Sequence, residues 1–216
     1  MLNLLFLLIS LHLQDPSATI RQIDDQLSKG SVTIDAVLSN PAYMNLHKLT
    51  EFRAVIKKHA KNMSVTLVTA KEPGVQTTVK GKLLSANKTP VSNTLVYVYQ
   101  TDHRGWYADD KPHVEQNEGD RGHARLFGYL KTNAQGEFEL HTIRPASYPN
   151  STLPQHIHFE AFSDNGKSLT ITELLFDDDP MLVGDLRERF LREGFVVSKN
   201  SGTKEKQLFN YTVTTR

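Results

Sequence analysis

The run Leu153-Pro154-Gln155-His156-Ile157-His158-Phe159 sets two imidazoles two residues apart. Successive side chains of an extended strand leave opposite faces, so His156 and His158 share one face while Ile157 and Phe159 point to the other. Upstream lie two tyrosines: Tyr148, within Arg144-Pro145-Ala146-Ser147-Tyr148-Pro149, and Tyr107, which closes Asp102-His103-Arg104-Gly105-Trp106-Tyr107. Imidazole suits several transition metals, whereas phenolate is a hard anionic donor that favours a ferric ion. Together Tyr107, Tyr148, His156 and His158 have the composition of a four-donor iron site, and that points to oxygen chemistry rather than zinc hydrolysis. Each residue alone has a plainer reading. A His-x-His pair can satisfy local hydrogen bonds, Tyr148 can pack at a proline turn, and Tyr107 can be a surface tyrosine.

Two kinds of element would have to position these groups. Residues 15–63 read as helical and polar, with Ile20, Ile23 and Leu27, then Leu46, Leu49, Phe52 and Ile56, at helical spacing and Asn40-Pro41 as punctuation. From Ser64 onward the period changes. Val65 and Leu67, then 75–84, 94–99, 128–132, 137–142, 155–162, 169–176 and 207–214, are rich in β-formers and separated by turn residues, with Asn133-Ala134-Gln135-Gly136 joining two of them as a hairpin. The spacing predicts a mainly β protein: a β-sandwich core over 64–216 with a short helical N-terminal segment. The stretch from Tyr107 to Phe127 is charged, glycine-containing and aperiodic, a long loop of the kind that carries function. Residues 185–193 read as a short charged helix with a solvated face.

Composition narrows the classes. At 216 residues with formal net charge +1 and no cysteine, the chain suits one ordinary domain and has no disulfide, thiolate nucleophile or iron–sulfur cluster. No basic stripe with interleaved aromatics is present, so nucleic acid is not expected as a partner. The apolar run at 1–14 is too short to span a bilayer. It reads as a signal-like leader to a secreted or periplasmic destination, against the alternative of a cytoplasmic chain.

The order Gly-x-Tyr, then Pro-x-x-Tyr-Pro, then Pro-x-His-x-His-Phe resembles the intradiol ring-cleavage dioxygenases, which open catechol or protocatechuate rings. Lys80-Gly81-Lys82-Leu83, Pro90-Val91 and the hairpin at Gly136 extend the likeness over residues 75–180. The resemblance implies non-haem Fe(III) held by Tyr107, Tyr148, His156 and His158, with a catecholic molecule and O2 as substrates. It also implies that Tyr148 is the displaceable ligand and the base for a substrate proton. The family carries an arginine where this chain has Leu153, and a glutamine where it has Glu173. Arg144 is the candidate replacement for the arginine, with a plain surface role as its rival. Trp106 and Glu173 are candidates for the substrate pocket, and a homo-oligomer is left open.

Two other classes stand beside this reading. The strand pattern from Val79 to Val98 also fits a non-catalytic, transthyretin-like binding module. A metal hydrolase would pair His156 and His158 with an acid such as Glu160 or Asp102.

Overall fold

The computed structural model describes residues 15–115 and 119–215, with the side chains of 119–120 left aside. The apolar leader at 1–14 lies outside the described residues. Among the described residues four helical pieces come first: α1 (Pro16–Lys29), α2 (Ile34–Leu38), a 3-10 turn (Pro41–Leu46) and α3 (Thr50–His59). Asp15, Thr33 and Asn40 start the first three by accepting a backbone N–H with their side chains. The proline after Asn40 thus ends one helix and begins the next turn, as its punctuation predicts.

Among the described residues ten strands follow: β1 (Ser64–Thr66), β2 (Gln76–Leu84), β3 (Leu95–Gln100), β4 (Leu126–Lys131), β5 (Glu137–Ile143), β6 (His156–Phe162), β7 (Ser168–Leu169), β8 (Leu174–Phe176), β9 (Val196–Ser198) and β10 (Lys206–Thr214). Two more helices, α4 (Gly119–His123) and α5 (Gly184–Glu193), sit in the connections. The strands form two mixed sheets. One has the order β1-β5-β2-β10, and the other β4-β3-β6-β8-β9 with β7 beside β6. Val79 and Leu83 of the first sheet share one buried cluster with Val96, Val98, Ile157 and Phe159 of the second and with Ile23, Phe52 and Ile56 of the helices. Aromatic rings bridge the sheets: Phe159 stacks on Tyr211 at 4.4 Å and lies 5.7 Å from Phe138.

β6 is interior to its sheet, between β3 and β8. Ile157, Phe159 and Ala161 are buried while His156, His158 and Glu160 are half-buried on the other face, in the alternation the sequence predicts. Fully burying a side chain such as Ile157 stabilises by about 1.5–3 kcal/mol, so a one-residue slip that reversed the faces would be strongly disfavoured.

Arg53 ties α3 to the β-structure. Its guanidinium donates to the carbonyls of His47, Ala124 and Arg121, each at 2.9 Å, and to the Tyr97 hydroxyl, and it lies 3.8 Å from the centre of the Phe127 ring. No helix among the described residues is long and apolar enough to cross a membrane.

Three sequence expectations need correction. The strand expected over 169–176 is broken into β7 and β8, because Thr172 turns aside: its hydroxyl donates to Gly194 O and its carbonyl accepts from the Tyr211 hydroxyl. β9 is missed because three residues carry too little pattern. The charged helix α5 is not merely solvated, since Phe190 and Leu186 pack with Leu175, Leu182, Phe195 and Val197 in a second small cluster.

Candidate metal centre

The polar face of β6 meets two loops. His156 Nε2 lies 2.8 Å from Tyr148 Oη, which lies 2.7 Å from Tyr107 Oη, which lies 2.9 Å from His158 Nε2. His158 Nε2 is in turn 3.0 Å from His156 Nε2, and one diagonal, Tyr148 Oη to His158 Nε2, measures 3.4 Å. Four donor atoms from three separate segments therefore converge in one small ring.

Each segment is held for a physical reason. Tyr107 is buried at 2 % exposure and follows a turn organised by the Asp102 carboxylate, which accepts from the backbone N–H groups of Arg104 and Trp106. Asp102 is itself buried and faces Arg104 at 2.5 Å and Arg125 at 3.4 Å, and Arg125 also grips Glu72. Those arginine and backbone donors hold the Asp102 carboxyl below its ordinary value, although burial acts in the opposite sense. Gly105, at φ +81°, lets this turn approach the Tyr148 segment, where Ala146 N donates to Asp102 O.

The two histidines are fixed differently. His156 Nδ1 donates to the Pro154 carbonyl at 2.8 Å, which leaves the Nε2 lone pair directed at the other donors. Burial lowers the His156 pKa to about 4, with its neighbour His158 adding to the effect, so the ring is neutral. His158 stacks on Tyr99 at 4.4 Å and 6°, while its Nδ1 faces Glu173 Oε1 at 3.4 Å. Burial pushes the Glu173 carboxyl up, but the His158 contact leads the effects that bring it net below its usual range.

Other sequence candidates fall outside this ring. Arg144 donates to Gln155 at 2.6 Å, Asp178 at 2.8 Å and Gln207 at 3.3 Å, and stacks over Phe176 at 3.8 Å. Those contacts place it at the entry to β6, and none of its hydrogen bonds goes to the four donors. Trp106 stacks on His113 at 3.7 Å and carries the Arg104 guanidinium 4.1 Å from its ring. Leu153 is 40 % exposed. Glu173 stands against the outer nitrogen of His158, a placement that sequence reasoning missed because it arises from cross-strand register. Asp102 and Glu160, the acids named for a hydrolase, are paired with arginines, Glu160 with Arg121 at 2.5 Å.

The donor set fits a transition metal. With Nδ1 of both rings turned outward, the two Nε2 lone pairs face each other at 3.0 Å, a repulsive arrangement that a cation between them relieves. Donors at right angles on a first-row cation, with bonds of about 2.0–2.1 Å, are about 3 Å apart. Two phenolic oxygens beside two imidazole nitrogens favour a hard trivalent ion such as iron. Among the described residues no group of three or more His, Cys, Asp or Glu side chains is arranged to hold a metal, so any site here needs the tyrosines.

A family model described as Dioxygenase matches residues 51–213. The protocatechuate 3,4-dioxygenase beta chain of Burkholderia cepacia is 35% identical over 118 residues, covering 52% of this chain and 49% of that protein. Catechol 1,2-dioxygenase 1 of Acinetobacter lwoffii is 25% identical over 145 residues, covering 58% and 44%. The chain thus matches about half the length of these curated relatives. In fold it is similar to the intradiol ring-cleavage dioxygenase from Tetranychus urticae (TM-score 0.55, 17% identity, 73% and 87% covered). It is also similar to catechol 1,2-dioxygenase from Acinetobacter sp. ADP1 (0.55, 17%, 93% and 69%).

Proposed function

This chain belongs to the intradiol ring-cleavage dioxygenases, and from that membership we propose that it opens a catechol-type ring with O2, giving a muconate-type diacid, at a ferric ion held by Tyr107, Tyr148, His156 and His158. The observation that carries this reading is the mutual approach of those four donor atoms, all within 3.4 Å along the contacts described above. In the same reading the two sheets form a β-sandwich with the site at the polar face of β6.

When bound, ferric iron supplies Lewis acidity toward the diol oxygens and the electron-accepting character that makes the ring reactive to O2. The remaining roles fall to side chains. His156 stays neutral, so it holds the site without adding positive charge, and the two phenolates would offset the charge of the ion. Tyr107 is fully buried on a turn braced by the Asp102 network and stays in place. Tyr148 is half-buried on a loop whose next residues are exposed, and to it we assign the role of the phenolate that moves aside for substrate. Its oxygen then takes a proton from a catechol hydroxyl, a transfer made effective by holding base and acid within hydrogen-bond reach.

The test is direct. Protein loaded with ferrous salt in air should turn burgundy through tyrosinate-to-iron charge transfer and consume O2 with catechol, protocatechuate or hydroxyquinol. A colourless protein at full iron occupancy would overturn the assignment of ligands; a coloured protein inert to all three diols would overturn the activity.

A further inference from the structure

The two histidines of the site have unlike outer partners: His156 gives its Nδ1 proton to a neutral carbonyl, while His158 faces a carboxylate. Sheet register explains why. β6 pairs antiparallel with β8 through His156↔Leu175 and Ile157↔Leu174, so Glu173 falls opposite His158 and on its face. On the other side β3 pairs Tyr99 with His158. A cross-strand row of Tyr99, His158 and Glu173 results, in which the imidazole is stacked on the phenol and edged by the carboxylate.

The backbone that carries Glu173 is held in place. Its backbone carbonyl accepts from Val196 N at 3.3 Å, and its neighbour Thr172 is tied to Gly194 and Tyr211. The carboxylate reaches His158 from a backbone fixed on both sides.

We propose that Glu173 is a positioning residue that holds His158 as the Nδ1–H tautomer, with Nε2 turned to the metal, and that its negative charge makes His158 the stronger imidazole donor of the pair. A carboxylate behind a metal-bound histidine fixes the tautomer and raises ligand basicity, and losing such a partner typically costs 10–100-fold in metal affinity. The idea rests on the metal-site reading above but concerns a residue outside the four donors. It also gives the acid at this position a role distinct from substrate contact.

Glu173→Gln separates charge from shape, since the amide oxygen can still accept the Nδ1 proton. Its iron affinity should fall 10–100-fold, its ferric/ferrous midpoint should move positive, and its charge-transfer band should shift, with the melting temperature of the iron-free protein little changed. Equal affinity and midpoint in Glu173→Gln and the parent would overturn the proposal. A second measurement needs no iron: nitrogen-15 spectra of the metal-free parent should show His158 protonated at Nδ1, with Nε2–H gaining in Glu173→Leu. An Nε2–H tautomer in the parent would overturn it equally. Failure of the parent to bind iron would count against the proposed function instead, and the tautomer measurement would still decide the role of Glu173.

Discussion

Gly105 and Ser147 meet backbone to backbone: a Cβ built on Gly105 would stand 2.0 Å from the Ser147 carbonyl oxygen. This is the seam between the turn that carries Tyr107 and the segment that carries Tyr148, and the two phenolic oxygens lie 2.7 Å apart just beyond it.

Gly105→Ala should therefore open the seam. The positive φ and the clash with backbone act in the same direction, at a cost of roughly 1–3 kcal/mol from the conformation alone. Iron content per chain should drop together with the melting temperature. Full iron occupancy in this variant would show that the approach of the two segments is not needed for the site.

Tyr148→Phe and His158→Ala should fail in different ways. The first removes the mobile phenolate, so turnover should fall by about 10²–10⁴-fold while iron is retained at reduced affinity. The second removes a donor from the rigid half and should lose the metal. Parallel metal analysis and single-turnover kinetics separate the two, and a pair of variants that both turn over at the parental rate would refute the assignment.

Arg53→Met should be among the most destabilising single changes in the helical segment. It strands the buried carbonyls of His47 and Ala124, each unsatisfied group costing about 1–3 kcal/mol, while the Arg121 carbonyl keeps the Tyr97 hydroxyl as a donor. Allowing for relaxation, a loss of about 3–5 kcal/mol and a fall of about 10 °C in Tm are expected. A change of only one or two degrees would mean that water or neighbouring donors replace the guanidinium.

His47 makes stability depend on pH. Its Nδ1 donates to Arg125 O at 2.7 Å, and its Nε2 is buried with no hydrogen-bond partner. Burial lowers its pKa from 6.5 to about 4. Between those values the unfolded chain binds the proton and the native chain does not. Stability from this residue is thus intact above about pH 6.5 and falls as pH drops toward 4, by up to roughly 3 kcal/mol. Urea titrations of the parent and His47→Gln at pH 7 and 4.5 should show the gap between them shrinking at the lower pH; a gap independent of pH would sink the assignment.

Much of the site is legible in the chain itself. The alternation across His156, Ile157 and His158 dictates which rings share a face, and the proline-flanked Tyr148 and glycine-flanked Tyr107 mark turns able to reach it. Other features have no local signal. Arg144 looks in sequence like a free cation near Tyr148, yet its fate is decided by Gln155, Asp178 and Gln207, of which the last two lie far along the chain. Trp106 finds His113 only after the loop folds back. Glu173 meets His158 through register, after a connection that the apolar pattern of 169–176 conceals. Residues placed by cross-strand geometry are visible only once the strands are paired.

β6 lies inside its sheet, whereas both tyrosines ride on loops. Hydrogen exchange should consequently be slowest at the histidines and faster around 105–107 and 146–149, because interior strands open only with the whole fold. For the proposed iron site, release and recapture of the ion would be a matter of loop breathing. A depleted molecule could be recharged without ever passing through the denatured state.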